Sequence, residues 1–578
     1  MQNNPKHNIR NPRNAPWLAH YPACVPTTLE YPKIPAWGLL EQTAKSYPDR
    51  EACIYYKQHL TYRELHEQAR CVAHMLVRMG VQPGDRVAIM LPNMPETLAT
   101  LNGIWMAGGI VVALSPLMVP SEVSAMLRVT DCRVVVSLDL LAPLVTRGDF
   151  RPEHVIFTTM KDRLPHWQRL GYAFAKICRL GFWLAADAPN QHFYEDELVQ
   201  SDRQFQPVEP DSIDDPAFIL PTGGTTGRPK AVTLTHRNLV ANAWQLLHWA
   251  GKDIGKHKIL SIVPFFHSYG MSTCVMNGAA MAATLVLHHR FIPRVALRLI
   301  EEHQPSVFPA VPAMLTALNE LLRRKPIDFK ELRYCISGGA PLDPAIANEF
   351  AEHSGATVVE GYGLSEASPV THTGPLDGTN RLGTIGLPMP DTEARIVDEE
   401  TGVYTLAPSK VGELVIRGPQ VMAGYWKDPE ATAAVIRDGW LHTGDLATCD
   451  EDGFFRIVDR IKDLIITSGF NVYPTDVEHV LRQCPGVADV AVIGFPDPGR
   501  GEIVKAVIET DPNVTFNQKH FNKFASENLA KHKRPSIVEI LNGDLPRKFL
   551  GKVLRRELRE QHAAINEVET ATVAESTA

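Results

Sequence analysis

The feature that most restricts the fold is an alternation that recurs along most of the chain. Short apolar runs, DRVAIML (85–91), GIVVALSP (109–116) and CRVVVSL (132–138), alternate with helix-period stretches such as EQARCVAHMLVRMG (67–80). Such runs suit strands buried on both faces. Strands alternating with helices imply parallel βαβ units, first over about 36–140. The pattern resumes over 216–360 with PAFIL, ILSIVPF, TLVLHH, YCISGGA and TVVEGYG. From about 380 to 460 the runs shorten (GTIGLPM, EARIVD, GELVIRG, FFRIVD) and turns such as Asp452-Gly453 intervene, which predicts an antiparallel β unit. A new α/β pattern follows Lys462 with DVEHVLRQ, VADVAVIGF and EIVKAVIE. Residues 1–35 read as an irregular arm, and the tail after about 562 lacks aromatics and is expected to be disordered.

Composition bounds the function. A chain of 578 residues should hold roughly three to five domain-sized units. With 44% apolar and 21% charged residues, it is neither a largely disordered chain nor a disulfide scaffold. Lys+Arg number 58 against 65 Asp+Glu, a net charge of −7, so no global basic excess exists to neutralise nucleic-acid phosphates. Nine scattered cysteines, none spaced C-x-x-C, fit reduced thiols and a cytoplasmic setting. The N-terminus has no apolar signal core. Residues 98–121 carry no charge, but Asn102, Gly108-Gly109 and Pro116 interrupt them. A buried helix, a glycine turn and a strand are expected there, not a membrane span.

The most informative loop is Leu220-Pro-Thr-Gly-Gly-Thr-Thr-Gly-Arg-Pro-Lys230. It follows a strand-like run and precedes a helix-like one. Glycines and hydroxyls expose amides and O–H groups with little bulk, so the loop can wrap an oligophosphate, and Lys230 adds charge. It is not a G-x-x-x-x-G-K-[ST] loop. A plain surface turn is the competing reading for this loop alone.

Further segments follow in order: PFFHSYG (264–270), SGGAPL (337–342), EGYGLSEAS (360–368), GYWKDPEAT (424–432), GWLHTGD (439–445), DRIKDLIITSGFNVYPTDVE (459–478) and LPRKFLGKVLRREL (545–558). With the loop, this series resembles the adenylate-forming (AMP-binding) superfamily from about residue 36 to 560. GGTTGRPK, TLTHRNLVAN and SGFNVYPTDVE are most similar to bacterial long-chain fatty-acid–CoA ligases. The resemblance implies an α/β fold: a large N-terminal domain (36–461) of two βαβ-type sandwich subdomains and a β-barrel-like subdomain (about 380–460). A hinge at Lys462, a small mobile α/β C-terminal domain (463–562) and the tail 563–578 complete it.

The resemblance also implies a site. Thr222, Gly223, Gly224, Thr225, Thr226, Gly227 and Lys230 would hold the ATP phosphates. Gly338, Gly339, Ala340, Tyr362, Gly363 and Ser365 would hold adenosine, with the Tyr362 ring on the purine; a core tyrosine is the alternative. Glu366, with Thr225, would hold Mg²⁺, which takes a few hard oxygens and shares the rest with phosphate and water. Asp445 would accept from the ribose diol, with Arg460 as its companion; a turn aspartate and a surface ion pair are the plain readings. His267 would lie beside the acyl pocket, where a satisfied core histidine is as good a reading. Lys552 would be the catalytic lysine that stabilises charge on the transferring group. Ser468 and Gly469 would form a tunnel for coenzyme A. Pro221, Ala231 and Lys548 depart from the family pattern.

The implied activity is a two-step ligation. A fatty carboxylate attacks the α-phosphate of ATP, giving acyl-AMP and pyrophosphate; CoA then takes the acyl group. A fatty acyl-AMP ligase serving a carrier protein and an aryl- or short-chain-acid ligase are the alternatives. Chain length is not legible, nor is oligomeric state, with a homodimer left open. Residues 160–186 add one location signal. They hold Lys161, Arg163, Arg169, Lys176 and Arg179 against Asp162, with Trp167, Tyr172, Phe174, Phe182 and Trp183. On a helix, Trp167, Leu170, Phe174, Ile177 and Cys178 share a face opposite Arg169, Lys176 and Arg179. That suits peripheral contact with the inner face of an anionic membrane, or a helix docked on its own core.

Overall fold

The computed structural model describes residues 15–180, 188–222, 230–497, 499–512, 514–541, 543–547 and 553–559. The chain forms two compact units: residues 1–394 with 416–441, and residues 395–415 with 442–578.

The first unit contains two large sheets. One has eight strands, in the order 424–425, 230–235, 216–222, 110–113, 86–90, 134–138, 154–158 and 191–193. The other has nine, in the order 387–388, 370–373, 357–363, 334–337, 307–310, 258–261, 284–287, 51–55 and 58–61. The apolar runs form parallel neighbours as expected: Val87 pairs with Val111 and with Val134, and Cys335 with Val358. Such strands must be covered on both faces. Helix Pro95–Met106 is accordingly buried along its whole length, and Trp105 donates to the Ala217 carbonyl at 2.8 Å. Gly103 permits this packing, since a Cβ there would lie 2.5 Å from Val72 Cβ on helix Tyr62–Arg78.

The uncharged stretch 98–121 is therefore this helix, a turn with Gly108 at φ +78°, and the buried strand Ile110–Ala113. Among the described residues no helix is long and apolar enough to cross a membrane. Residues 15–35 contain one short 3-10 turn, Pro16–His20, yet they are held: Tyr31 and Thr28 both donate to Asp391.

In the second unit, residues 445–449 of strand Trp440–Cys449 pair with strand Phe455–Arg460 as an antiparallel hairpin. A separate sheet runs in the order 470–472, 465–467, 501–510 and 487–497, with 537–540 parallel beside 501–510. Its core gathers Val472, Val477, Leu481, Val490, Val492 and Phe521 against helices Pro474–Leu481 and Gln518–Asn528. The α/β pattern read after Lys462 is this sheet and its helices.

Candidate active site

Ligand sites in α/β sheets form outside the carboxyl ends of parallel strands. In the first unit, the implied residues stand at three such ends. Strand Tyr334–Ser337 runs into Gly338–Ala340. Its parallel neighbour Thr357–Gly363 ends in Tyr362 and Gly363. Strand Lys258–Ser261 leads through Pro264-Phe-Phe to His267.

The glycines here have specific reasons. A Cβ on Gly363 would fall 2.1 Å from the Pro369 carbonyl oxygen. One on Gly338 would press the Tyr269 ring at 3.2 Å, and Gly339 sits at φ +82°. Tyr362 is half-buried and meets His372, its register partner on Val370–Thr373, edge to face at 5.9 Å. Burial pushes His372 down to about 3, so that ring is neutral. Burial also pushes Glu360 up to about 8, against a hydrogen bond from the Leu342 amide. A protonated carboxyl thus stands two residues before Tyr362.

Ser365 and Glu366 occupy the 3-10 turn Ser365–Ala367, and Ser365 Oγ lies 3.3 Å from Ser268 Oγ. The Glu366 carbonyl accepts from Met422 N at 2.8 Å, and its Oε1 accepts from the Tyr425 hydroxyl at 3.0 Å. Burial and the adjacent carboxylate push the Tyr425 hydroxyl well up, so it remains a donor. Lys230 Nζ lies 4.7 Å from the centre of the same ring, within cation–π range. The strand Gly424–Tyr425 pairs with Lys230–Thr235 through Gly424↔Thr233 and Tyr425↔Val232, which fixes this geometry. Glu366 and Lys230 are thereby gathered on one tyrosine that the sequence analysis did not assign.

Thr222 and Lys230 are register partners at the end of the hairpin Pro216–Thr222 and Lys230–Thr235. The loop residues Gly223, Gly224, Thr225, Thr226 and Gly227 lie outside the described residues. Ala231 packs in the core beside Trp426, whose amide donates to its carbonyl at 2.7 Å. Pro221 pairs opposite Ala231, beyond the stretch of its strand that pairs with Ile110–Ala113.

His267 is half-buried, and its Nδ1 accepts from Tyr269 N at 3.2 Å, which leaves Nε2 as the protonated nitrogen. The segment before it is set by buried Asn93, a second residue the sequence did not signal. Asn93 Oδ1 accepts from Phe265 N at 2.9 Å, and Nδ2 donates to the Ser261 and Val263 carbonyls. Phe265 and Phe266 also wall a narrow apolar gap with Phe218, Leu101 and Ala113.

In the second unit, the hairpin makes Asp445 and Arg460 register partners, and Arg460 Nε meets Asp445 Oδ1 at 2.9 Å. Asp445 is buried within a strand and is no turn aspartate. Lys462 is exposed in the 3-10 turn Ile461–Asp463. Buried Asp463 beside it is held by Arg555 and Arg559, with Arg559 Nη2 3.0 Å from Oδ1. Ser468 (φ +50°) and Gly469 (φ +80°) form the two-residue turn between paired Thr467 and Phe470. Positive φ at both turn positions is the type I′ requirement. Lys552, with Lys548, lies outside the described residues.

A single carboxylate beside a lysine suits a magnesium–nucleotide more than a resident metal, because Mg²⁺ draws most of its ligands from phosphate and water. Glu366, whose Oε1 accepts from the Tyr425 hydroxyl, is the carboxylate that fits this pattern.

Comparison with known proteins agrees with this geometry. Residues 40–426 match the AMP-binding enzyme family, and residues 476–552 match the AMP-binding enzyme C-terminal domain. The chain is 38% identical over 551 residues to a long-chain-fatty-acid–CoA ligase of Bacillus subtilis (strain 168), covering 94% of this chain and 98% of that protein. It is 36% identical over 564 residues to that of Escherichia coli O157:H7, with 94% and 98% covered. The crystal structure of ATP-bound MatB from Rhodopseudomonas palustris superposes with a TM-score of 0.78 at 29% identity, covering 92% of this chain and all of that one. The chain belongs to the AMP-binding enzyme family, and its fold is that of the adenylate-forming enzymes.

Proposed function

We propose that the protein is a fatty-acid–CoA ligase that consumes ATP and forms AMP. The observation that carries this is the likeness at 36–38% identity, over nearly the full length, to proteins named long-chain-fatty-acid–CoA ligases.

In the first step the substrate carboxylate, already ionised at neutral pH, attacks the α-phosphorus of ATP and pyrophosphate leaves. Thr222, the glycine–threonine run and Lys230 bind the phosphates. Tyr362 and the Gly338–Ala340 backbone orient adenine, while Asp445 and Arg460 bind ribose. Glu366, with Thr225, would hold magnesium, which would supply positive charge to offset that of the phosphates. Tyr425 keeps the Glu366 carboxylate turned to that task, as its 3.0 Å hydrogen bond supports. Lys552 stabilises the charge shifting between carboxylate and phosphate. Positioning and preorganised charge are what phosphorus displacement chiefly requires.

In the second step the CoA thiol attacks the acyl carbonyl of the mixed anhydride, AMP leaves, and the thioester forms. Lys552 serves only the first step. Lys462 is the hinge about which the C-terminal domain turns to bring Ser468-Gly469 into use. His267 and Phe266 flank the start of the acyl path. The same reading places the enzyme in the cytoplasm, with peripheral contact on the inner face of the membrane through 160–186.

A pyrophosphate-release panel tests the reading. Fatty and aromatic acids are offered with ATP and Mg²⁺, with and without CoA. Release should be greatest with fatty acids and should turn over only when CoA is present. Preference for aromatic acids, or turnover indifferent to CoA, contradicts it.

A further inference from the structure

Strand Gly412–Arg417 lies beside strand Trp440–Cys449. Glu413 on the first and residues 442–445 on the second all belong to the second unit. Glu413 is buried, and a buried carboxyl group needs hydrogen-bond partners. It finds them on the residues that lead into Asp445. His442 Nδ1 donates to Glu413 Oε2 at 2.7 Å, and Gly444 N donates to Oε1 at 3.0 Å. The His442 side chain is only 7% exposed, so this contact is largely shielded from water. Thr443 ties the same segment to the same strand. Its hydroxyl donates to the Leu414 carbonyl at 2.7 Å and accepts from the Asp445 amide at 3.1 Å.

Gly444 stands at φ +70°, outside the extended range of the strand around it. An amide at such a kink needs a partner of its own, and the Glu413 carboxylate supplies it. Glycine also has the widest backbone freedom of any residue, so the position just before Asp445 is where that side chain would lose its aim.

We infer that Glu413 is a positioning residue for Asp445: by holding His442 and Gly444 it sets the aspartate to accept from the ribose diol of ATP. The inference rests on the reading of Asp445 as the ribose ligand. Arg460 fixes Asp445 from one side, through hairpin register and the 2.9 Å contact of its Nε. Glu413 fixes the backbone that leads to it from the neighbouring strand on the other. Hydrogen bonds weaken steeply when misaligned, and a displacement of about 1 Å can cost on the order of 100-fold in rate.

ATP analogues lacking the 2′- or the 3′-hydroxyl test this. The readout is the ratio of kcat/KM for ATP to kcat/KM for each analogue, from pyrophosphate release with a fatty acid and CoA. The parent should favour ATP by roughly tenfold or more over at least one analogue, because a hydroxyl-to-carboxylate bond is charge-assisted. Asp445→Ala should bring that ratio close to one. Glu413→Ala should bring it to within about threefold of one and raise the KM for ATP, with the KM for CoA unchanged. Glu413→Gln keeps the reach and an oxygen for the Gly444 amide, so it should retain most of the preference. Glu413→Asp keeps the charge but withdraws it by one methylene; it should resemble the alanine variant and replaces it if that chain does not fold. Lost stability alone slows both nucleotides alike and leaves the ratio unchanged. A Glu413→Ala or Glu413→Asp variant with the parent's ratio therefore overturns the inference while the ribose assignment stands. A parent indifferent to both hydroxyls, or Asp445→Ala with the parent's ratio, overturns the ribose assignment and this inference with it.

Discussion

The Tyr425 hydroxyl donates to Glu366 Oε1 at 3.0 Å, across 59 residues of sequence. Its ring also lies under Lys230 Nζ. One residue thus orients the carboxylate assigned to magnesium and the ammonium assigned to phosphate.

Tyr425→Phe keeps the ring beneath Lys230 and removes only the hydroxyl. A hydrogen bond to a charged group contributes about 1.5–3 kcal/mol, so acyl-AMP formation should slow by roughly tenfold or more. The Mg²⁺ concentration for half-maximal rate should rise, while thioester formation from supplied acyl-AMP stays near the parent rate. Stopped-flow measurement of each half-reaction over a Mg²⁺ series checks this. Equal slowing of both halves would assign Tyr425 a structural role only.

Gly363→Ala would place a Cβ 2.1 Å from the Pro369 carbonyl oxygen, which is backbone and cannot yield cheaply. The expected loss of stability is on the order of 3 kcal/mol, with weaker ATP binding as Tyr362 shifts. Denaturant unfolding and nucleotide titration measure the two effects. A variant as stable as its parent would show that this turn relaxes freely.

The dependence of stability on pH should have two limbs. Glu360 is held protonated up to about 8 by burial, from an ordinary 4.5. Between those values the unfolded chain has lost a proton that the native state keeps, so stability falls as pH rises. His372 and His236, pushed by burial to about 3 and about 4 from 6.5, behave oppositely: the unfolded chain gains protons first, and stability falls as pH drops below 6.5. Glu360→Gln should flatten the limb between about pH 5 and 8 and leave the acid limb unchanged. Unfolding midpoints from pH 4 to 9 test it, and an unaltered upper limb would mean that Glu360 ionises normally.

The two half-reactions should separate by residue. Lys552→Ala should cut acyl-AMP formation by about 10²–10³ and spare thioester formation from supplied acyl-AMP. Gly469→Ala should do the reverse. Gly469 sits at φ +80° with open space around its Cβ position, so the variant carries strain of roughly 1 kcal/mol without a clash. Rapid-quench assays of each half-reaction decide. Matched losses in both halves for either variant would remove the division of labour.

The parallel strands and the buried helix Pro95–Met106 were legible because burial on both faces leaves uninterrupted apolar runs. The glycine-lined strand ends were legible because close approach excludes side chains locally. Tyr425 was not, since its partners come from strand pairing and a turn far away in sequence. Asn93 was hidden for the same reason, as its three hydrogen bonds go to residues about 170 positions on. Periodicity found both faces of helix His166–Leu180 but not which faced inward, because that depends on one buried aspartate at position 139.

Identification of the products tests the central claim most directly. With a long-chain fatty acid, ATP, Mg²⁺ and CoA, mass spectrometry should show acyl-CoA, AMP and pyrophosphate forming in equal amounts, with acyl-AMP accumulating only when CoA is left out. ADP as the nucleotide product, or acyl-AMP persisting beside unreacted CoA, would contradict the account.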